Sequence, residues 1–178
     1  DQSELAFRIL CRRYQPNTLC FTPMLHSKRF VQDKTYRSKF FTTCTTDRPL
    51  IAQFCGDDSA TLVTAAKMIE EHVDAIDLNL GCPENIAKKG HYGSFLLSEP
   101  ETVVQIVKAL VTGLSVPVTC KIRIMEQGHH IPMERRGVEG TIAFCRALEQ
   151  AGVAMICVHA RDRHNKGSKM KNSDWEAI

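Results

Sequence analysis

The chain has 178 residues, with 23 Lys and Arg against 20 Asp and Glu, and a formal net charge of +3. Hydrophobic residues make up 43% and charged residues 24%, a balance that excludes disorder as the main state. The longest apolar run falls far short of the roughly 18 residues that cross a bilayer, and the start lacks the basic and apolar regions of a secretory signal.

The length suits one good-sized core or a small pair of domains. The first residue is Asp1, not Met, so a preceding piece of chain is expected. The eight cysteines include no Cys-x-x-Cys pair, which argues against a zinc ribbon or a thioredoxin-type site. Cys11, Cys44, Cys55, Cys120, Cys145 and Cys157 sit in or beside apolar runs. Reduced thiols in a cytoplasmic or nuclear protein are therefore expected.

In chain order, residues 1–14 read as a helix, with Asp1 as cap, Glu4 three residues on, and Leu5, Ile9 and Leu10 on one face. Residues 18–25 read as a short buried strand running into a loop, and 26–48 as a polar, mixed segment. A strand is predicted over 49–55, followed by a turn and cap at 56–59. Leu62, Ala65, Ala66 and Ile69 then fall at helical spacing. Residues 74–80 form the next strand, and Gly81 to Pro83 end it. A loop is predicted from Glu84 to Leu97. It precedes a helix with a Ser98/Glu101 capping box, Pro100 in the first turn, and a buried face of Val103, Ile106, Val107 and Leu110. A strand over 116–124, a polar loop over 125–138, a helix over 139–150 and a strand over 153–159 follow, and Ser173 looks like the start of another helix.

Five apolar strands alternating with helices is the pattern of βα units, and continuous apolar runs are typical of parallel strands covered on both faces. Two architectures fit: an open doubly wound sheet or a section of a (β/α)8 barrel. Polar residues recur at the carboxyl ends of successive strands: Gln53, Asn79 with Cys82, Lys121 with Arg123, and His159 with Arg161. In a barrel those ends converge on one mouth. An open sheet concentrates its ligand residues at one switch point, usually beside a Gly-rich loop, and no G-x-G-x-x-G is present. The expected fold is thus an incomplete TIM-barrel section of about five βα units. A whole barrel takes about 250 residues, so roughly two or three units are short.

Each polar residue has a chemical and a plain reading. Cys82 sits at the tip of a tight Gly-Cys-Pro turn. A thiol there is mostly protonated at neutral pH and can act as a general acid. Alternatively it is a small buried hydrophobe. Lys121 lies inside an apolar strand, where an unpaired charge is costly. It either meets an anion or reaches solvent at the strand end. The Gln53 amide wants partners, which a heteroaromatic ring supplies. His159 could hold a phosphate or a ring, or be a satisfied core histidine. The basic residues Arg161, Arg163, His164, Lys166, Lys169 and Lys171 form either a solvated loop or, beside Lys88, Lys89 and His91, a phosphate-tracking surface.

Several of these segments together resemble one family. They are Pro23-Met-Leu-His26, Gln53-Phe-Cys55, Asp74-Ala-Ile-Asp-Leu-Asn-Leu-Gly-Cys-Pro83, Ile86-Ala-Lys-Lys-Gly-His-Tyr-Gly93, Pro117-Val-Thr-Cys-Lys-Ile-Arg123 and Val158-His-Ala-Arg161. The sequence resembles the tRNA-dihydrouridine synthases over nearly its whole length, close to the eukaryotic (16/17) branch. The resemblance implies a TIM barrel followed by a helical tRNA-binding domain, with FMN as cofactor and NADPH or NADH as reductant. The implied reaction reduces D-loop uridines of tRNA to 5,6-dihydrouridine.

By position in the motifs, Cys82 is the implied proton donor. Gln53, Lys121 and His159 are the implied flavin residues, and Asn79 and Arg161 the implied contacts to the target base or its surroundings. No metal and no membrane are implied, and the full-length protein is expected to be a monomer. Against the family pattern, Ala160 stands where a glycine is usual and Ser94 where an alanine is usual. The family's first barrel strand, its last two strands and the helical domain are expected to lie outside residues 1–178. Two other readings are an inactive or RNA-binding remnant with raw sheet edges, and a flavin barrel acting on a small molecule.

Overall fold

The computed structural model describes residues 3–126, 136–165 and 172–173. Helix α1 (Leu5–Tyr14) leads into short strands β1 (Cys20–Phe21) and β2 (Leu25–His26), then helices α2 (Ser27–Gln32) and α3 (Lys34–Phe40). Strand β3 (Leu50–Cys55), helix α4 (Ser59–Lys67), strand β4 (Ala75–Leu80) and helix α5 (Asn85–Lys89) follow. A 3-10 turn over Gly93–Ser98 precedes helix α6 (Pro100–Gly113), strand β5 (Val118–Arg123), helix α7 (Gly137–Gln150) and strand β6 (Met155–His159).

All pairings are parallel, and the order is β1-β3-β4-β5-β6 with β2 also on β3. Strand order therefore follows chain order without reversal. A doubly wound sheet reverses direction at its switch point, whereas a barrel never does. This is the architecture of a section of a (β/α)8 barrel, as the polar strand ends predict.

Strand pleating sorts side chains into two faces. Leu50, Ala52, Phe54, Ile76, Leu78, Leu80, Val118, Cys120 and Ile122 point to the helix side and join Leu62, Ala65, Ile106, Val107, Leu110 and Leu148 in the main core. The opposite, concave face carries Gln53, Asp77, Asn79, Thr119, Lys121, Arg123 and His159 by alternation.

Four local expectations change. The strand predicted over 18–25 is two short strands, because Pro23 has no amide hydrogen for a ladder. Residues 26–48, read as a polar, mixed segment with no element assigned, contain α2 and α3, anchored by buried Phe30 and Tyr36, with Asp33 Oδ1 accepting from Tyr36 N at 2.9 Å. The predicted loop over 84–97 contains α5 and the 3-10 turn. The Ser98/Glu101 capping box does not form: Glu99 occupies the cap position, and Ser98 Oγ accepts instead from Arg163 Nη1 at 3.0 Å. The cap at Asp1, residues 127–135 of the polar loop, Lys166, Lys169, Lys171 and most of the helix predicted to start at Ser173 lie outside the described residues.

Helix α1 also buries a different face. Leu10 is exposed, while Arg8 and Arg12 are buried against Asp47, just before β3. Arg8 donates through Nε and Nη2, Arg12 through Nη1 at 2.6 Å, and Thr43 Oγ1 adds a bond at 3.1 Å. Arg8 Nη1 and Nη2 also donate to the carbonyls of Ser3 and Thr42, and Arg12 Nε and Nη2 to those of Arg48 and Pro49.

Candidate active site

Strand register places the polar residues of the concave face in layers. Gln53 pairs with Asp77 and Asp77 with Thr119, Asn79 with Lys121, and Arg123 with His159. The sequence-selected Gln53, Asn79, Lys121 and His159 therefore share one face at the carboxyl ends of four consecutive strands. Cys82 follows on the turn after β4.

Hydrogen bonds lock the deepest layers. Asp77 is fully buried and accepts from Thr119 Oγ1 at 2.6 Å and from Gln53 Nε2 at 2.9 Å. Burial pushes its carboxyl above the usual range, against the two hydrogen bonds and the nearby Lys121 ammonium. Asn79 Nδ2 donates to Gln53 Oε1 at 2.8 Å. Asn79 Oδ1 accepts from Gly81 N at 3.1 Å and Cys82 N at 2.9 Å, which shapes the turn that carries the thiol. Gln53 keeps one N–H and one lone pair for a ligand, and Asn79 keeps one N–H.

The Cys82 turn is braced from the other side by the 3-10 turn. Ser94 donates to the Cys82 carbonyl through both its amide and Oγ, each at 3.0 Å. Gly93 has φ +68°, and a Cβ there would come 2.7 Å from the Cys82 carbonyl oxygen. The residue must therefore be glycine for both conformational and steric reasons. The Cys82 side chain packs against the buried cluster of Cys55, Ala87 and Tyr92, as do Met24 and Phe95. Burial raises Cys55 and Tyr92 each to about 12, with the neighbouring Cys82 adding to both shifts.

Arg123, next to Lys121 on the same face, was noted in the sequence only as part of a polar strand end. It is mostly buried, and its Nε donates to the Gly81 carbonyl at 2.7 Å while Nη1 donates to the Asp162 carbonyl at 2.9 Å. It thus ties the Cys82 turn to the loop after β6. Burial and the facing Arg161 hold its guanidinium below the ordinary value.

His159 Nε2 lies 3.0 Å from Arg161 Nη1. A guanidinium only donates, so the imidazole accepts and carries its proton on Nδ1. Burial lowers the His159 pKa, and Arg123, Lys121 and Arg161 lower it further. The Lys121 side chain is half-buried and makes no hydrogen bond or ion pair with a described residue. A buried Nδ1 of His26, at the carboxyl end of β2 and edge-on to Tyr92 at 5.3 Å, also lacks a hydrogen-bond partner among the described residues. Sequence patterning gave no sign of this atom.

The loop after β6 does come against the segment after Cys82. Arg163 reaches Ser98, lies 5.3 Å over the Phe95 ring and pairs with Glu126, which also meets His164 at 3.0 Å. Arg163 is an anchor between loops rather than a solvated charge.

A cationic amine, an amide with open valences, a neutral imidazole and a thiol ring one face. The dihydrouridine synthase family model matches residues 1–178. The chain belongs to that family. It is 45% identical to a Saccharomyces cerevisiae protein named tRNA-dihydrouridine(16/17) synthase [NAD(P)(+)], covering all of this chain and 40% of the relative. It is 43% identical to the Schizosaccharomyces pombe protein of the same name, covering 42% of it. A human tRNA-dihydrouridine(20a/20b) synthase-like protein is 38% identical over 91% of this chain and 50% of its own length. The chain thus spans half or less of each of these relatives.

Proposed function

We propose that this chain is a section of the catalytic barrel of an FMN-dependent enzyme that reduces D-loop uridines of tRNA to 5,6-dihydrouridine. Its similarity to the (16/17) synthases supports uridines of that region as the substrate. The observation that carries the reading is the convergence of Gln53, Asn79, Cys82, Lys121 and His159, from four strands, on one concave end. The family's helical tRNA-binding domain belongs to the same reading, as does action as a monomer. Eight unpaired thiols support a cytoplasmic or nuclear setting.

The residues present fit a flavin mononucleotide. Lys121 offers an ammonium with no described protein partner, Gln53 a spare donor and acceptor, and His159 an Nδ1–H. These three would hold the cofactor. Bound FMN supplies the hydride for C6 of uracil and is itself reduced by NADPH or NADH. The target base must leave the tRNA stack to reach the concave end, where Asn79 and Arg161 contact it or its surroundings. Cys82 Sγ gives its proton to C5, completing addition across the C5=C6 bond.

The purified protein is expected to be yellow and to form dihydrouridine in tRNA. Cys82→Ala is expected to keep the flavin absorbance and lose about 10²–10⁴-fold in turnover, the usual worth of a positioned acid. Unchanged turnover would remove Cys82 from the chemistry. A colourless protein that gains no absorbance with added FMN would overturn the whole reading.

A further inference from the structure

We propose that Asp77 is a positioning residue whose carboxylate gives direction to a hydrogen-bond chain, through Gln53 and Asn79, that ends on the backbone of the Cys82 turn. The chain has two fixed ends. Asp77 accepts at both carboxyl oxygens, from Thr119 Oγ1 and from Gln53 Nε2, and the Gly81 and Cys82 amides only donate. Between them stand two side-chain amides, each of which could face either way. With an acceptor at the Asp77 end, Gln53 must turn Nε2 toward it, as seen at 2.9 Å. That leaves Gln53 Oε1 toward Asn79, which answers with Nδ2 at 2.8 Å. Asn79 Oδ1 is then left for Cys82 N at 2.9 Å and Gly81 N at 3.1 Å.

Every bond points toward the carboxylate, and Thr119 Oγ1 at 2.6 Å completes its shell from β5. Among titratable groups, Lys121 on β5 acts on Asp77 from the same face, and the Cys120 thiol, adjacent on β5 but turned to the helix side, feels its charge. The consequence reaches past the turn. The same chain decides which atoms of Gln53 remain open to a ligand.

Polarity makes the proposal testable by swapping. Asn79→Asp places an acceptor against Gln53 Oε1. Gln53 can relieve that clash only by reversing, which sets Oε1 against Asp77. Adding Asp77→Asn supplies a donor at the far end, so the chain closes again with Gln53 reversed. Asp77→Leu in the same background removes the charge but supplies no donor. The readout is the rate of Cys82 alkylation by iodoacetamide, followed by peptide mass spectrometry and expressed relative to the parent at each pH, together with Tm.

Asn79→Asp is expected to raise the relative alkylation rate about fivefold, the equivalent of one hydrogen bond of about 1 kcal/mol. The rise is expected to fade as pH falls, because a protonated Asp side chain donates to Gln53 as the amide does. The pair with Asp77→Asn is expected to return within about twofold of the parent, and the pair with Asp77→Leu is not. Should Asn79→Asp fail to fold, recovery of a cooperative thermal transition by Asp77→Asn but not by Asp77→Leu reads the same way. If both second changes rescue equally, or neither does, the chain has no direction and the proposal falls. Relevance to turnover rests on the dihydrouridine synthase reading, but this test uses neither flavin nor tRNA, so failure of one does not imply failure of the other.

Discussion

At the amino end of β3, Asp47 is fully buried, yet it meets Arg8, Arg12 and Thr43, and every guanidinium nitrogen of the two arginines has an acceptor. At the carboxyl ends of β3, β4 and β5, Asp77, Gln53 and Asn79 are also linked, but valences remain open. Gln53 keeps a donor and an acceptor, and Lys121 has no described hydrogen-bond partner. Both clusters are buried or half-buried polar groups in an apolar sheet. Saturation at one end fits a structural joint that pins α1 to the start of β3. Open valence at the other fits a site that a ligand completes.

The largest effect should fall on the saturated end. Asp47→Ala leaves two buried guanidinium groups facing each other without their shared carboxylate. Breaking a buried ion pair from one side costs about 3–5 kcal/mol. The urea midpoint should drop accordingly, while the relative alkylation rate of Cys82 in the still-folded fraction should hardly change. A small loss of stability would mean that the carbonyl contacts of Arg8 and Arg12 suffice alone.

Gly93→Ala comes next and probes the brace on the Cys82 turn. A left-handed backbone costs an L-residue roughly 1–2 kcal/mol, and here the added Cβ also meets the Cys82 carbonyl at 2.7 Å. The expected outcome is lower stability together with faster Cys82 alkylation. A variant of parental stability and reactivity would show that the 3-10 turn shifts freely and does not hold the thiol.

Lys121→Met tests the open end directly. No side-chain hydrogen bond to a described residue is lost, so the unfolding free energy should change by less than about 1 kcal/mol, because removing a half-buried charge offsets the lost side-chain contacts. FMN affinity, in contrast, should fall about tenfold or more, as for a lost hydrogen bond to a charged group. Undiminished FMN affinity, measured by fluorescence titration, would take Lys121 out of the site.

The comparison also explains what could be read in advance. The carboxyl-end residues were legible because the strands are continuous apolar runs, against which Gln53, Asn79 and Lys121 stand out, and parallel pairing brings strand ends together. The amino-end cluster was not legible. Arg8 and Arg12 look like the polar face of an amphipathic helix until Asp47, 39 and 35 residues away, turns that face inward. Helices α2 and α3 were missed for a related reason. Each is short, and a single large buried aromatic, Phe30 or Tyr36, anchors it in place of an apolar stripe. Arg123 was legible only as part of a polar strand end and Asp77 only as a member of the segment that ends in Cys82 and Pro83, because their partners, a carbonyl and an amide, leave no mark in sequence.

The smallest effect is expected between these extremes, at His91. This residue, at φ 52°, joins Asp57 after β3 through Nδ1 at 2.8 Å and Glu99 at the start of α6 through Nε2 at 2.6 Å. It lies two residues before Gly93, so it clips the Cys82 brace to the helix layer. The two carboxylates raise its pKa, Asp57 first, against a small opposing effect of burial. A raised folded-state pKa means that the stabilisation is complete below the unfolded value near 6.5 and is lost as pH rises through the folded value. The three side chains are about half exposed, so screening limits the gain to about 1 kcal/mol or less. The Tm gap between the parent and His91→Gln should therefore be present at acid pH and shrink at alkaline pH. Salt should narrow it as well, because exposed charges are screened. A gap that ignores both pH and salt would assign the clip to neutral hydrogen bonds and leave the brace without an electrostatic component.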